Sequence, residues 1–269
     1  MESKKVLFVS QEITPYLPES ELSLISRVLP QAIQETGKEI RTFMPKYGNI
    51  NERRNQLHEV IRLSGMNLII DDTDHPLIIK VASIQAARMQ VYFIDNEDYF
   101  HRKSTVIDSK GNYFEDNDER MIFFARGVLE TVRKLRWSPD LVHCLGWFTS
   151  LVPLYIKKAY REDPLFSDSK VILSVYDNGF YQPLNPTFAR KILVDGVSRD
   201  HVSVVEDPTY ENLIKLAATY SDGLNQGSAS LPEPVSRILK KEDKPFLDYV
   251  DSEKYVDKFS VFYDRIINT

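Results

Sequence analysis

The chain has 269 residues, of which 39 are acidic and 34 basic, so its formal net charge is −5. A content of 42% hydrophobic and 27% charged residues is typical of a globular protein and excludes a disordered chain. The acidic balance argues against broad electrostatic binding of nucleic acid, and the single Cys144 excludes an internal disulfide or a thiolate metal cluster.

Targeting and membrane segments are not expected. The apolar run at 6–9 is too short for the core of a signal peptide. No stretch reaches the roughly 18 uninterrupted apolar residues of a membrane-spanning helix. We therefore expect a soluble, cytoplasmic protein that does not contact a membrane.

The first 45 residues predict a strand–helix–strand unit. The apolar run 6–9 is typical of a strand that is buried on both faces. Apolar residues then recur at helical spacing over 22–33, and Gly37 ends that helix. A second strand over 40–44 is closed by Pro45, and the crossover between the two strands should be right-handed.

The middle of the chain is rich in predicted strands. Runs at 66–70 and 77–81 flank the acidic cluster 71–76, which we interpret as a solvated turn because its spacing lacks the rest of a calcium loop. A buried strand is expected over 91–94, and an amphipathic helix over 122–132.

Strands and helices continue to alternate towards the C-terminus, which predicts one doubly wound α/β domain with a mostly parallel, Rossmann-like sheet. We expect this domain to span residues 1–240, with a helical tail over 241–269 that packs on the same domain. The later strands are predicted at 141–143, 171–175 and around Leu224, and the later helices at 151–159, 214–220 and 255–266.

The loop after the first strand argues against a nucleotide cofactor. In an open α/β sheet, ligands bind where the strands end. Residues 11–21 contain no glycine, whereas dinucleotide and P-loop motifs need glycines so that the backbone can approach phosphate. Glu12, Glu19 and Glu21 would also repel phosphate. No cofactor and no metal are expected.

Two possible nucleophiles are interpreted as structural residues. His143 and Cys144 are adjacent on a predicted strand, so their side chains point to opposite faces, and a buried structural cysteine is favoured. Ser228 lies in Gly-Ser-Ala-Ser rather than in a nucleophile elbow, and a helix N-cap is favoured there.

Six segments form an ordered set of motifs: 5–15, 29–30, 41–48, 91–95, 139–143 with Trp147, and 220–222. Together they resemble the N-terminal half of bacterial glycogen and starch synthases, which have the two-domain GT-B architecture. The resemblance covers about residues 4–240.

The resemblance implies glucosyl transfer from ADP-glucose to an α-1,4-glucan. Enzymes of this family carry a second domain that makes most contacts to the nucleotide sugar. If this chain is such an enzyme, the resemblance implies either that a partner chain supplies the donor domain or that activity is very low. The alternative is a non-catalytic relative that binds a glucan or a partner protein in storage-polysaccharide metabolism.

The departures from the family pattern favour the non-catalytic alternative, whereas the breadth of the resemblance favours the glucosyltransferase, so both interpretations stay open. Where the family has Lys-Thr-Gly-Gly-Leu, this chain has 18–22, Pro-Glu-Ser-Glu-Leu, and Tyr176 stands in place of the active-cleft histidine. Restoring the family residues by Leu145→His, Gly146→Asp and Tyr176→His is expected to leave the fold intact, because strand-end loops tolerate substitution. The substrate-binding residues that the resemblance and the strand ends together imply are Glu12, His143, Trp147, Tyr176, Asp177 and Asn178, expected around one concave edge.

Overall fold

The computed structural model describes residues 3–269, in which ten strands form one mixed sheet and nine helices cover it. The strands are β1 (Lys5–Ser10), β2 (Glu39–Pro45), β3 (His58–Glu59), β4 (Met66–Ile70), β5 (Thr73–Ile84), β6 (Met89–Asp95), β7 (Leu141–Leu145), β8 (Lys170–Val175), β9 (Gly223–Gln226) and β10 (Phe246–Leu247). The helices are α1 (Glu21–Glu35), α2 (Glu97–Phe100), α3 (Asn117–Leu135), α4 (Leu151–Lys157), α5 (Phe188–Lys191), α6 (Arg199–Val202), α7 (Tyr210–Tyr220), α8 (Glu233–Lys241) and α9 (Tyr255–Ile267).

The sheet confirms the prediction of a doubly wound, mostly parallel fold. Its order is β10-β9-β8-β7-β1-β2-β6-β5-β3, with β4 paired to β5. Neighbouring strands from β10 to β6 are parallel, and β5 is antiparallel to β6, β3 and β4. The chain leaves β1 towards β2 and later returns to its other side as β7, so the strand order reverses between β1 and β7. That reversal is where an open α/β sheet binds its ligands.

Both faces of the sheet are covered, which explains the continuous apolar runs of its strands. Val6 and Phe8 of β1 pack under α1 and α9, whereas Leu7 and Val9 belong to the larger core on the opposite face. All four side chains are 0% exposed. This two-sided burial is the pattern expected for parallel sheets.

The helix α1 begins and ends close to the predicted residues. Its buried stripe, Leu22, Ile25, Leu29 and Ile33, faces β1 and α9. Gly37 follows the helix with φ of +91°, a left-handed conformation that glycine adopts without steric cost.

The acidic turn is shorter than expected. Only Asp71 and Asp72 have the positive φ angles of a tight hairpin turn, and β5 already begins at Thr73. The strand continues through the cluster because His75 is buried, with Nδ1 3.1 Å from Asp98 Oδ2 and Nε2 2.9 Å from the Tyr99 hydroxyl. Burial of one face thus overrides the turn propensity of the later residues.

The segment after residue 240 adds to both the sheet and its cover. β10 extends the parallel sheet beside β9, and α9 lies against α1 on one face. The α9 side chains that join the core there are Tyr255, Phe259, Phe262, Tyr263 and Ile266. Within residues 3–269, no helix combines the length and the apolar character needed to cross a membrane.

Candidate functional site

Gln11 connects the carboxyl ends of β1 and β7 through two hydrogen bonds. Its backbone N–H donates to the Leu145 carbonyl at 3.1 Å, and its side-chain Oε1 accepts from the Phe148 N–H at 3.2 Å. Gly146 has φ of +88°, and a Cβ there would lie 2.8 Å from Leu22 Cδ2 and 2.9 Å from Gln11 Oε1. The two loops are therefore in close contact, and glycine is needed between them.

The N-terminus of α1 faces this edge and is capped by its own residues. The Ser20 Oγ accepts from the Ser23 N–H at 3.0 Å, and the Ser23 Oγ accepts from the Ser20 N–H at 2.8 Å. The Ser20 hydroxyl also donates to Glu12 Oε2 at 3.1 Å. Burial raises the pKa of the half-buried Glu12 carboxyl, although the bond from Ser20 partly opposes that shift.

A second carboxylate ties α1 to the ends of β8 and β9. The Ser228 hydroxyl donates to Glu21 Oε2 at 2.5 Å and accepts from the Asp177 backbone N–H at 3.0 Å. The prediction that Ser228 caps a helix is wrong, because the helix that follows begins only at Glu233, after Pro232. Its hydroxyl instead joins the first residue of α1 to the loops after β8 and β9.

His143 does not lie at this edge, which contradicts the expectation for its side chain. It is 0% exposed beneath α9. The Ser174 hydroxyl donates to Asn225 Oδ1 at 2.7 Å and lies 2.6 Å from His143 Nε2, so Nε2 donates to it. His143 Nδ1 then accepts from the Tyr263 hydroxyl, 2.6 Å away. Burial lowers the imidazole pKa to about 3, so the ring is neutral near pH 7.

Trp147 and Tyr176 are also buried, on opposite faces of the sheet. Trp147 is 1% exposed, with its ring edge-on to Phe180 at 4.9 Å. Tyr176 is 2% exposed, and its ring crosses so close to Gly227 that a Cβ there would lie 2.5 Å away. Neither ring presents a face to a ligand. Of the six residues expected around one concave edge, only Glu12, Asp177 and Asn178 keep side chains that are partly or fully exposed, and their role in binding stays a prediction.

The cysteine is structural, as expected. Cys144 is 0% exposed, and burial raises the pKa of its thiol well above the usual range. In the described part of the chain, no group of three or more histidine, cysteine or acidic side chains is arranged to hold a metal ion.

The family model of the starch synthase catalytic domain matches residues 5–238. The chain belongs to this family. The glycogen synthase of Chlorobium limicola is 40% identical over 196 residues, which are 72% of this chain and 40% of that protein. The glycogen synthase of Chlorobium phaeovibrioides is 34% identical over 234 residues, 86% of this chain and 47% of that protein.

A solved structure has the same fold. It is the catalytic domain of Starch Synthase IV from Arabidopsis thaliana bound to ADP and acarbose, with a TM-score of 0.75 at 16% sequence identity. The match covers 93% of this chain and 52% of that one. The chain thus spans less than half of the curated relatives named above and about half of this structure.

Within this starch-synthase-type domain, sequence reasoning missed the residues that hold the edge together. Gln11 directly follows β1, and that position was a usable signal for a polar contact at the sheet edge. The bond between Glu21 and Ser228 joins residues 207 positions apart, and no local pattern could predict it.

Proposed function

We propose that this domain acts in the synthesis of an α-1,4-glucan as a glycogen-synthase-type component that does not transfer glucose from ADP-glucose by itself. The observation that carries the proposal is the N-terminus of α1, which is capped by Ser20 and flanked by Glu12 and Glu21. The glucan assignment is supported by the family and by relatives named glycogen synthase.

Electrostatics explains why a donor would bind weakly at this helix. The backbone N–H groups at a helix N-terminus, with the helix dipole, favour bound phosphate when the end is open. Here the capping box already satisfies the backbone N–H groups of Ser20 and Ser23. In addition, Glu21 places a negative charge in the first turn of the helix. Lys46, which follows β2, is ion-paired with Glu52 at 2.6 Å. A diphosphate at the α1 terminus would meet carboxylates.

Two roles are compatible with the proposal. In the first, a partner chain supplies a donor domain and this chain holds the acceptor glucan. In the second, the chain is a non-catalytic relative that binds a glucan or a partner protein. The acidic, self-capped α1 terminus favours the second role, because leaving-group stabilisation needs preorganised positive charge.

The direct test is transfer of labelled glucose from ADP-glucose to glycogen by the purified chain, with co-sedimentation on glycogen as a second readout. We expect binding to glycogen without transfer. A donor-dependent turnover on the order of 1 s⁻¹, a low but ordinary enzymatic rate, would contradict the proposal.

Calorimetry with ADP tests the electrostatic argument separately. Replacing both Glu12 and Glu21 by glutamine should strengthen ADP binding about threefold or more, because each charge near a helix terminus contributes about 0.3–1 kcal/mol. Glu19→Gln is the matched control, since Glu19 is exposed in the same loop but precedes the cap. Equal effects of the double variant and the control would contradict the argument.

A further inference from the structure

Helices α1 and α9 lie side by side on one face of the sheet and run in the same direction. Lys38, just after the end of α1, is ion-paired with Asp264 near the end of α9, with Nζ 3.2 Å from Oδ1. At the other end, burial and then the charges of Tyr249 and Glu21 raise the pKa of Tyr255 to about 12, so the first residues of the two helices are close. The two helices therefore form one continuous outer layer.

This layer also exposes apolar side chains to solvent. Of the nine large apolar side chains that are exposed within residues 3–269, four lie on these two helices: Leu24, Val28, Val256 and Val261. Val261 is 71% exposed and lies near the middle of α9. Single exposed apolar residues are normal, whereas a group of them on one face is typical of an interaction surface.

The charges around Val261 are arranged symmetrically and with opposite sign. Asp257 and Arg265 are each four residues from Val261, and Lys258 and Asp264 are each three residues from it. All four are exposed, and residues three or four apart are neighbours on the surface of a helix. Within residues 3–269, Asp257, Lys258 and Arg265 form no ion pair. The stripe is thus complementary to a copy of itself that runs in the opposite direction.

We propose that the face formed by α1 and α9 binds the same face of a second copy of this chain, in a dimer whose two-fold axis passes beside Val261. The two α9 helices are then antiparallel, so residues equally distant from Val261 on either side face each other across the contact. Asp257 pairs with Arg265 of the second copy, and Lys258 pairs with Asp264 of the second copy. Each pair occurs twice, because the contact is isologous.

Helix α1 supplies the apolar part of this contact. Because α1 runs beside α9 in the same direction, the same axis passes close to the middle of α1 and brings the two copies of α1 together. Leu24 and Val28 lie one turn apart on its outer side, 41% and 45% exposed. Their burial stabilises the dimer, whereas the ion pairs fix its antiparallel orientation. The proposal goes beyond the proposed function, because it requires neither a glucan nor a nucleotide sugar.

Analytical ultracentrifugation of the full chain over a range of concentrations tests the dimer. Two helices from each copy form a small contact, so we expect a reversible dimer with a micromolar dissociation constant. Val261→Asp should weaken the dimer about tenfold or more, because it places two like charges at the axis. Ile61→Asp is the matched control, since Ile61 is also exposed but lies outside α1 and α9. Melting temperatures verify that each variant is folded.

Reversal of single charges tests the antiparallel arrangement. Asp257→Arg alone and Arg265→Asp alone should each weaken the dimer about tenfold, because like charges then face each other in both symmetric pairs. An equimolar mixture of these two variants should form a heterodimer about as stable as the unmodified dimer, since every arginine then faces an aspartate. The chain that carries both substitutions should dimerise equally well for the same reason.

The contrary results are equally distinct. A chain that stays monomeric at millimolar concentration overturns the proposal. A dimer that Val261→Asp leaves unchanged, or that Ile61→Asp weakens to the same extent, also overturns it. If the mixed single-charge variants do not associate, the helices do not pair antiparallel about Val261, and the proposal is wrong. None of these results depends on glucan binding or glucose transfer, which the tests of the proposed function measure separately.

Discussion

His143 keeps the identity that the family pattern has at its position, yet its environment gives it a structural role. The ring joins β7 to α9 through Tyr263 and to β8 through Ser174, and no part of it is exposed. Two hydrogen bonds fix its neutral tautomer. A motif match therefore identified the residue, while the side of the sheet on which it lies decided what the residue does.

The buried imidazole should make stability depend on pH. Its pKa is about 3 in the folded protein, against about 6.5 in an unfolded chain. Between these values the unfolded state binds more protons, so stability is complete above about pH 6.5 and falls as pH drops towards 3. We expect this group to cost about 1.4 kcal/mol per pH unit within that window.

Urea unfolding of the unmodified chain and of His143→Gln, between pH 4 and 7, measures this contribution. Glutamine can bond to both neighbours but does not titrate, so the other ionisable groups cancel in the difference. We expect the difference in unfolding free energy between the two proteins to change with pH, with the unmodified chain losing stability faster on acidification. Parallel pH profiles would show that His143 is not buried in its neutral form.

Elements with a strong apolar pattern were predictable, whereas those that depend on distant contacts were not. β1 follows from its continuous apolar run, and α1 and α9 follow from their helical periodicity. The bounds of all three lie within two residues of the prediction. The four-residue helices α5 and α6 and the two-residue β10 are too short to show a period, so tertiary packing decides them. The β5 strand was cut short in the prediction because burial of His75 is a tertiary effect.

The turn after β7 illustrates a prediction from sequence that the structure contradicts. Restoring the family residues was expected to leave the fold intact, but Leu145 is a core residue, and Gly146 has a positive φ and no room for a Cβ. We expect Gly146→Asp to destabilise the protein by about 1–3 kcal/mol more than Gly111→Asp. Gly111 is the matched control because its φ is +85° and nothing lies within 4 Å of an added Cβ.

Thermal or denaturant unfolding of the two variants gives that difference directly. The positive φ contributes similarly in both, so the excess cost at Gly146 reports the contact with Leu22 and Gln11. Equal destabilisation would mean that the loops after β1 and β7 can separate at little cost.

At the scale of the whole molecule, the order of the predicted elements was enough to give the doubly wound sheet and the edge where its loops meet. The site was less predictable, because a residue that follows a strand can face either layer or solvent. The side chains of Trp147 and Tyr176 are buried in the two cores on opposite faces of the sheet. Asp177 is exposed, and so is the ring of Tyr181, four residues later. Side-chain direction after a strand depends on packing that the sequence does not display locally.

Residues 241–269 complete one face of the sheet, and removing them should therefore prevent stable folding. Five large α9 side chains cover that face, and Tyr263 is the partner of His143. Burial of such side chains contributes about 1.5–3 kcal/mol each, or about 8–15 kcal/mol together. That sum equals the whole stability of a typical domain, about 5–15 kcal/mol.

A chain ending at residue 240 is the variant to test, with deletion of only residues 268–269 as the control. The short chain should bind a hydrophobic dye and unfold without a cooperative transition, while the control should melt like the full protein. Adding a peptide of residues 241–269 should restore cooperativity, since it carries β10 and α9. A cooperative transition of the short chain at the temperature of the full protein would show that residues 1–240 fold independently and that α9 is a dispensable cover.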